Sequence, residues 1–196
     1  MELIPTQPVG LPGLIAKMAG GALFFAALVQ MRAGKDGAVC KRSGLSLAGI
    51  LIQMLAFAAT GFGRIDASLP PAGSRAILDA GLVAALMLLS VFLFISATRA
   101  MGANWSVVAR MREGHELVTS GIFARLRHPI YTGMAAFLAA LAIAFGHTTS
   151  LILTVPLFVL GTWIRISEEE RLLRAEFGGA YDDYAARVKR FVPGVI

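Results

Sequence analysis

Two polar clusters in the second half of the chain hold the side chains best suited to chemistry. One contains His115 and His128, and the other contains Arg165 and Glu169. Each cluster adjoins a long apolar run, and ionisable groups at such boundaries of membrane proteins are often functional. A carboxylate, a guanidinium and imidazoles together can bind a ligand that carries both charges. The sequence therefore predicts that the two clusters close around one binding site.

Metal coordination is not predicted from the sequence. The three histidines and the single cysteine, Cys40, are spread along the chain without the spacing of a metal-ligand set. One cysteine also excludes a disulfide scaffold. His147 lies in the polar break Gly146-His147-Thr148-Thr149 and is predicted to be a solvated loop residue.

The composition predicts an integral membrane protein. Of 196 residues, 57% are hydrophobic and 15% are charged, and the mean hydropathy is +0.71. Soluble domains contain about 45–50% apolar and about 25% charged residues, and a globule of this length cannot bury so much apolar surface. The net charge of +6 is typical of cationic cytoplasmic loops and does not indicate nucleic-acid binding.

Five apolar segments predict an all-α fold with five transmembrane helices. Each segment is near the length of about 20 residues that crosses a bilayer. The last two derive from one apolar stretch, 129–164, which is too long for a single span and is interrupted by the polar break around His147. A tight helical hairpin over 129–166 is therefore predicted. The predicted spans are residues 11–31, 43–63, 76–98, 129–145 and 150–166.

The basic residues predict the orientation of these spans. Fifteen Lys and Arg residues fall in the loops after the first and third spans and in the C-terminal tail, whereas Arg64 and Arg75 fall on the other side. Cytoplasmic loops carry the excess of positive charge. The N-terminus is therefore predicted to lie outside, and the C-terminus in the cytoplasm.

The C-terminal tail is predicted to be helical and to contribute to the site. Arg165 and Glu169 are four residues apart and so share one helix face. Phe177-Gly178-Gly179 is typical of a helix stop. Beyond it, an apolar stripe predicts a second, amphipathic helix suited to lying on the membrane or on the spans. The stripe consists of Tyr181, Tyr184, Val188 and Phe191.

The order of these motifs resembles the isoprenylcysteine carboxyl methyltransferase family, which is related to the phospholipid N-methyltransferases. The resemblance covers about residues 99–193. It divides the chain into a three-span membrane region, 1–98, and a methyltransferase-like region, 99–196, with a cytoplasmic loop, the hairpin and the C-terminal helices. The motifs are Gly102-Ala103-Asn104-Trp105-Ser106, residues 115–121, residues 127–133, Arg165 with Glu168-Glu169-Glu170, and Phe177-Gly178 before Tyr181 and Tyr184.

The resemblance implies an integral-membrane methyltransferase that uses S-adenosyl-L-methionine. The implied reaction is carboxyl O-methylation of an isoprenylcysteine-like or other lipophilic acceptor, either a small molecule or a lipid-modified one. The cofactor would enter from the cytoplasm, and the acceptor would enter from the membrane lipid, against an apolar wall formed by the hairpin and by spans two and three. Two alternatives stay open: N-methylation of a phospholipid head group, and a membrane reductase that uses NADPH, because sterol reductases share part of this architecture.

The resemblance also implies roles for individual residues. Glu169 resembles the carboxylate that holds the cofactor, and Arg165 resembles the arginine that is associated with the methyl acceptor and is the catalytic candidate. Phe123 stands where the family commonly has a tyrosine, so a hydroxyl hydrogen bond is missing there while packing remains possible. The cofactor pocket is expected to be lined by His115, Glu116, Leu117 and Val118, and on its second wall by His128, Pro129, Ile130 and Tyr131.

Overall fold

The structure is a computed structural model that describes residues 6–30, 39–42, 44–105, 110–112 and 116–194. Helices dominate these residues, and this confirms the prediction of a helical fold. The helices are α1 (Leu11–Gln30), α2 (Gly44–Gly61), α3 (Ser74–Met101), α4 (Pro129–Phe145), α5 (Leu151–Phe177) and α6 (Gly179–Arg187).

Within the described ranges, four helical segments are long and apolar enough to cross a membrane. By length and composition, α1, α2, α3 and the segment Thr148–Phe177 that contains α5 can cross a bilayer. The helix α4 is apolar but shorter, and its 17 residues extend over about 26 Å at 1.5 Å per residue. A short turn joins α4 to α5, as the predicted hairpin requires, but the fourth predicted span, 129–145, is the short helix, so four helices of spanning length stand where five spans were predicted.

The boundaries of α4 follow from two residues with special backbone properties. Pro129 occupies the first turn, where its missing N–H has no helical partner to lose. Gly146 ends the helix in the left-handed conformation with a φ of 72°, which glycine adopts without a steric penalty. A Cβ at this position would also overlap the carbonyl oxygen of Gln7, so a larger residue would separate the hairpin from the N-terminal segment.

Two helix pairs form the sides of the bundle. The helix α1 packs mainly on α3, and α2 packs mainly on α5, while α4 lies against α3. Close approach of α2 and α5 depends on small residues, because a Cβ built on Gly161 would come within 2.8 Å of the Gly49 carbonyl oxygen. The two sides and α4 together line a cavity, which is the candidate site.

The region after the hairpin is helical up to Phe177, as predicted, but it differs from the prediction in the length of the second helix. The helix α5 continues without interruption from the apolar span through Glu168-Glu169-Glu170 to Phe177, so these acidic residues belong to the same rigid helix. The second helix, α6, ends at Arg187. Val188 and Phe191 lie beyond it, so the predicted stripe through four residues was wrong in its second half.

A short antiparallel ribbon of β1 (Val39–Arg42) and β2 (Arg110–Arg112) was not predicted.

His147 is buried, so the prediction that it is a solvated loop residue was wrong. The residue is 2% exposed. Its Nδ1 lies 2.8 Å from the carbonyl oxygen of Thr60, and its Nε2 lies 3.2 Å from that of Arg64. The short connection between α4 and α5 brings the ring next to the end of α2, where a ring N–H can donate to a backbone carbonyl that the helix terminus leaves open.

Candidate functional site

A cavity of about 470 Å³ opens between the two sides of the bundle. Most of its lining is apolar and aromatic, and it comes from α1, α2, α3, α4 and α5 together with the segment between α3 and α4. A volume of this order accommodates a small-molecule ligand. The predicted site residues that line it are Phe123, His128, Pro129, Ile130, Tyr131, Arg165 and Glu169.

The wall of this cavity includes one helix more than was predicted. The hairpin and α2 contribute, and α3 supplies Phe94 and Met101. Phe24 and Leu28 of α1 also line the cavity, although no motif in the sequence pointed to the first helix. Trp105 closes the wall next to them: it is buried and its ring meets Phe94 edge-on, with centroids 6.1 Å apart.

Arg165 brings a positive charge to this apolar cavity. Its guanidinium lies over the ring of Tyr131, with the Cζ 5.0 Å from the ring centroid, a distance at which a cation is attracted to the π face. Its Nη1 donates a hydrogen bond of 2.8 Å to Oε1 of Gln53. Sequence reasoning missed Gln53, a buried amide inside an otherwise apolar helix, and buried polarity in a span is the signal that could have found it.

Glu169 lies one helical turn from Arg165 and faces the same cavity. The Tyr131 hydroxyl donates a hydrogen bond to its Oε1, and Nδ1 of His128 lies 3.7 Å from its Oε2. The Glu169 side chain remains 29% exposed. A partly exposed carboxylate in an apolar cavity can accept a cationic or hydrogen-bonding ligand group. Thus the structure brings together Glu169 and His128, which the sequence predicted to meet.

The neighbouring carboxylate, Glu170, is instead paired within the protein. Its Oε1 accepts hydrogen bonds from Nη1 of Arg127 at 2.9 Å and from Nε of Arg190 at 3.0 Å, and it lies 3.2 Å from Nε2 of His128. Its Oε2 accepts a further bond of 2.8 Å from Nη2 of Arg190. We call Glu170, Arg127, His128 and Arg190 the Glu170 cluster. The acidic triplet was recognised in the sequence, but the arginine partners of its last member were not.

The chain beyond α6 is joined to the segment that precedes α4. The backbone N–H groups of Arg127 and His128 donate to the carbonyl oxygens of Lys189 and Arg190, at 2.9 and 3.0 Å. The Tyr184 hydroxyl donates a 2.7 Å hydrogen bond to the carbonyl oxygen of Phe123. These bonds hold the histidine-bearing segment in place, so α6 contributes to the site by support rather than by lining the larger cavity.

The surroundings of Tyr184 and Arg190, which lie in and after α6, raise the pKa values of both side chains. Burial raises the pKa of Tyr184 to about 12, and the nearby Tyr181 adds to the shift. Hydrogen bonding to Glu170 raises the pKa of Arg190. Tyr184 is therefore neutral and Arg190 is charged throughout the physiological range.

A smaller cavity of about 80 Å³ adjoins the first and contains the other predicted lining residues. Glu116, Leu117 and Val118 line it, and the amide of Asn104 donates to the Glu116 carbonyl oxygen at 3.4 Å. Both cavities are lined by Phe123, His128 and Arg127. His115, which was predicted to line the cofactor pocket, lies outside the described residues.

One buried donor in this shared wall lacks a partner within the described part of the protein. Among the described residues, Nε of Arg127 has no hydrogen-bond partner although it is buried, and a buried donor without a partner is costly. The Glu169 carboxylate supplies the opposite charge within the same cavity. Together with the aromatic side chains of Phe123 and Tyr131, these groups fit the carboxylate, the ammonium and the adenine of S-adenosyl-L-methionine in chemical type.

The apolar helices and the partly polar cavity define an integral membrane protein that can bind a ligand with charged and apolar parts. The family model for phospholipid methyltransferases matches residues 80–180, which is just over half of the 196 residues. The chain therefore belongs to the phospholipid methyltransferase family. The match begins within α3 and ends in α6, so it includes the hairpin, Arg165 and both glutamates of the site, but not α1 or α2.

Curated relatives support the same assignment. The chain is 32% identical over 111 residues to the protein-S-isoprenylcysteine O-methyltransferase of Schizosaccharomyces pombe, covering 54% of this chain and 45% of the relative. It is 33% identical over 104 residues to the enzyme of that name in Dictyostelium discoideum, covering 48% and 40%. Protein-S-isoprenylcysteine O-methyltransferase B of Arabidopsis thaliana is 34% identical over 90 residues, covering 44% of each chain. The match thus spans less than half the length of each of these relatives, and the resemblance to isoprenylcysteine methyltransferases is confirmed.

Proposed function

We propose that this protein is a membrane methyltransferase that transfers a methyl group from S-adenosyl-L-methionine to the carboxylate of a lipophilic, isoprenylcysteine-like acceptor. One observation carries the proposal: Arg165 and Glu169, one helical turn apart, present opposite charges to a single cavity that is otherwise mostly apolar. The relatives named as isoprenylcysteine O-methyltransferases agree with an acceptor of this class.

The cofactor would be held by the end of the cavity near Glu169. The Glu169 carboxylate would bind its ammonium group, and the partnerless Nε of Arg127 would bind its carboxylate. Phe123 and the Leu117–Val118 segment would pack on its adenine, in the smaller cavity. When bound, S-adenosyl-L-methionine supplies an electrophilic methyl group, and the remaining work of the protein is to align an acceptor with it.

Arg165 would bind and aim the acceptor. An acceptor carboxylate is anionic at neutral pH, so it is already a nucleophile and needs no general base. A guanidinium can hold a carboxylate in a defined orientation. The apolar side chains of Met54, Phe57 and Phe137, which line the same cavity, would receive the lipophilic part of the acceptor and exclude water.

The orientation in the membrane is part of the proposal. Five helices would cross the bilayer, with the short α4 paired with α5, and the C-terminal helical region would lie in the cytoplasm. The excess of basic residues on the side of the C-terminus supports this orientation. The cofactor would then reach the site from the cytoplasm, and the acceptor from the inner leaflet.

The test is methyl transfer by purified protein in detergent or lipid, with a radioactive methyl donor and three acceptor sets: S-farnesylcysteine acids, phosphatidylethanolamine and no added acceptor. Carboxyl methylation predicts label that alkali releases as methanol. Alkali-stable label in the phospholipid would identify N-methylation instead. Binding of NADPH in preference to S-adenosylhomocysteine would contradict a methyltransferase and support the reductase alternative.

A further inference from the structure

A buried glutamine connects the N-terminal half of the bundle to Arg165. Gln53 lies in α2 and is 2% exposed. Its Nε2 donates to Oγ1 of Thr162 at 2.7 Å, and its Oε1 accepts from Nη1 of Arg165 at 2.8 Å. A buried amide inside an apolar helix is costly unless it is hydrogen-bonded. Both ends of this amide are bonded to α5.

The chemistry of these partners fixes the orientation of the amide. A guanidinium offers only donors, so only the carbonyl oxygen of Gln53 can face Arg165. The Thr162 hydroxyl accepts the amide N–H at the other end. The backbones of α2 and α5 also approach closely at Gly49 and Gly161, so the glutamine is held in a defined position relative to α5.

The effect on Arg165 is to constrain the guanidinium without neutralising it. The group is bonded to Gln53 and also lies over the Tyr131 ring, with its Cζ 5.0 Å from the centroid. Glutamine is uncharged, so this hydrogen bond does not neutralise the positive charge of Arg165, which lines the cavity. A glutamate at the same place would keep a hydrogen-bond acceptor of similar size but would form an ion pair.

We infer that Gln53 is a positioning residue that holds Arg165 over Tyr131 and, because it is neutral, keeps the cavity selective for an anionic acceptor. This inference rests on the proposed function. Gln53 lies outside residues 80–180, which the family model matches, so the role belongs to a part of this chain that the family match does not cover.

The experiment compares the full-length native chain with Gln53→Leu, Gln53→Glu and a control, Thr60→Val. Thr60 is also buried in α2, but its hydroxyl bonds to the Ala56 carbonyl within the helix and does not line the cavity. Each protein is assayed for the KM and kcat with N-acetyl-S-farnesylcysteine. Binding of S-adenosylhomocysteine and of the matching carboxamide, which lacks the negative charge, is measured separately.

Loss of a hydrogen bond to a charged group changes a binding constant by roughly tenfold or more. Gln53→Leu should therefore raise the acceptor KM by about that factor. The affinity for S-adenosylhomocysteine should stay at the native value. Gln53→Glu should raise the KM at least as much and should reverse the preference for acid over carboxamide. A merely structural glutamine would not reverse that preference. Thr60→Val should retain the native values.

The possible outcomes separate this inference from the proposed function. If the native chain methylates the acid and both Gln53 variants keep its KM and its preference for the acid, the role of Gln53 is wrong and the proposed function stands. If Gln53→Leu loses its fold, Gln53→Glu decides, because it keeps an acceptor for Arg165. If the native chain methylates no carboxylate acceptor, the proposed function fails and this inference fails with it.

Discussion

Glu169 and Glu170 are consecutive residues of one helix, yet they belong to two regions with different physical roles. The Glu170 side chain is 3% exposed and is bonded to two arginines. Glu169 is 29% exposed and is bonded by the uncharged hydroxyl of Tyr131, at the edge of the cavity. Successive residues of an α-helix point about 100° apart, so one carboxylate joins the segment before α4 to the tail, while the other faces ligand space.

Charge alone therefore does not identify a functional carboxylate in this protein. A buried carboxylate whose cationic partners all come from the protein has little capacity left for a ligand. A carboxylate with partial exposure and a neutral partner retains that capacity. The following changes test whether the two regions are separable.

The largest expected effect on stability comes from the Glu170 cluster. Glu170→Gln removes the negative charge opposite Arg127, whose side chain is 10% exposed. Breaking a buried ion pair by changing one partner costs about 3–5 kcal/mol, so we expect the free energy of unfolding in detergent to fall by about that amount. The measurement is chemical unfolding followed by circular dichroism.

Asp182→Asn is the control for this change, because Asp182 pairs with Arg174 and the two side chains are 61% and 48% exposed. Exposed pairs contribute about 0–1 kcal/mol. Equal losses for Asp182→Asn and Glu170→Gln would show that the Glu170 cluster is not the structural region that its contacts indicate.

The next change should separate binding from stability. Glu169→Gln keeps the shape of the side chain but removes its charge, and Gln can still accept a hydrogen bond from Tyr131. We expect the affinity for S-adenosylhomocysteine, measured by calorimetry, to fall by roughly 10- to 100-fold, as for the loss of a hydrogen bond to a charged group.

The unfolding midpoint of Glu169→Gln should remain near that of the native chain. A stability loss as large as that of Glu170→Gln, with native cofactor affinity, would reverse the roles assigned to the two carboxylates.

The positions and most of the ends of the helices could be predicted from hydrophobic periodicity and composition. Apolar length predicted α1 to α4 to within a few residues, and Pro129 and Gly146 mark the ends of α4 by backbone preferences that act locally. The end of α5 at Phe177 was also predicted correctly, because a glycine such as Gly178 commonly follows the last turn of a helix.

The site was predictable where residues lie close in sequence or match a family motif, as for Arg165 and Glu169. Gln53 and Arg190 were missed, because their roles depend on contacts between distant segments. His147 was misread for the same reason: a histidine in a short polar turn is usually solvated, and only the packing of the turn beneath α2 buries it. Tertiary contacts decide such positions, and one sequence does not specify them.

The smallest expected effect concerns Tyr184, which supports the site from α6. Burial raises the pKa of Tyr184 to about 12 from its ordinary value of 10.0. The folded state therefore favours the neutral phenol, and this contribution to stability is fully present below pH 10.0 and is lost as the pH rises through about 12. Tyr184→Phe cannot ionise there, and it also loses the hydrogen bond to the Phe123 carbonyl, worth about 1 kcal/mol.

The native chain should consequently be more stable than Tyr184→Phe at neutral pH, and its advantage should shrink as the pH approaches 12. The free energy of unfolding of both proteins is measured across this pH range. The difference between them isolates the contribution of Tyr184, because the other titrating groups are common to both proteins and cancel. A difference that stays constant with pH would mean that the hydroxyl is not buried against Phe123. In that case α6 would not hold the histidine-bearing segment, and the stability of the Glu170 cluster would have to come from its ion pairs alone.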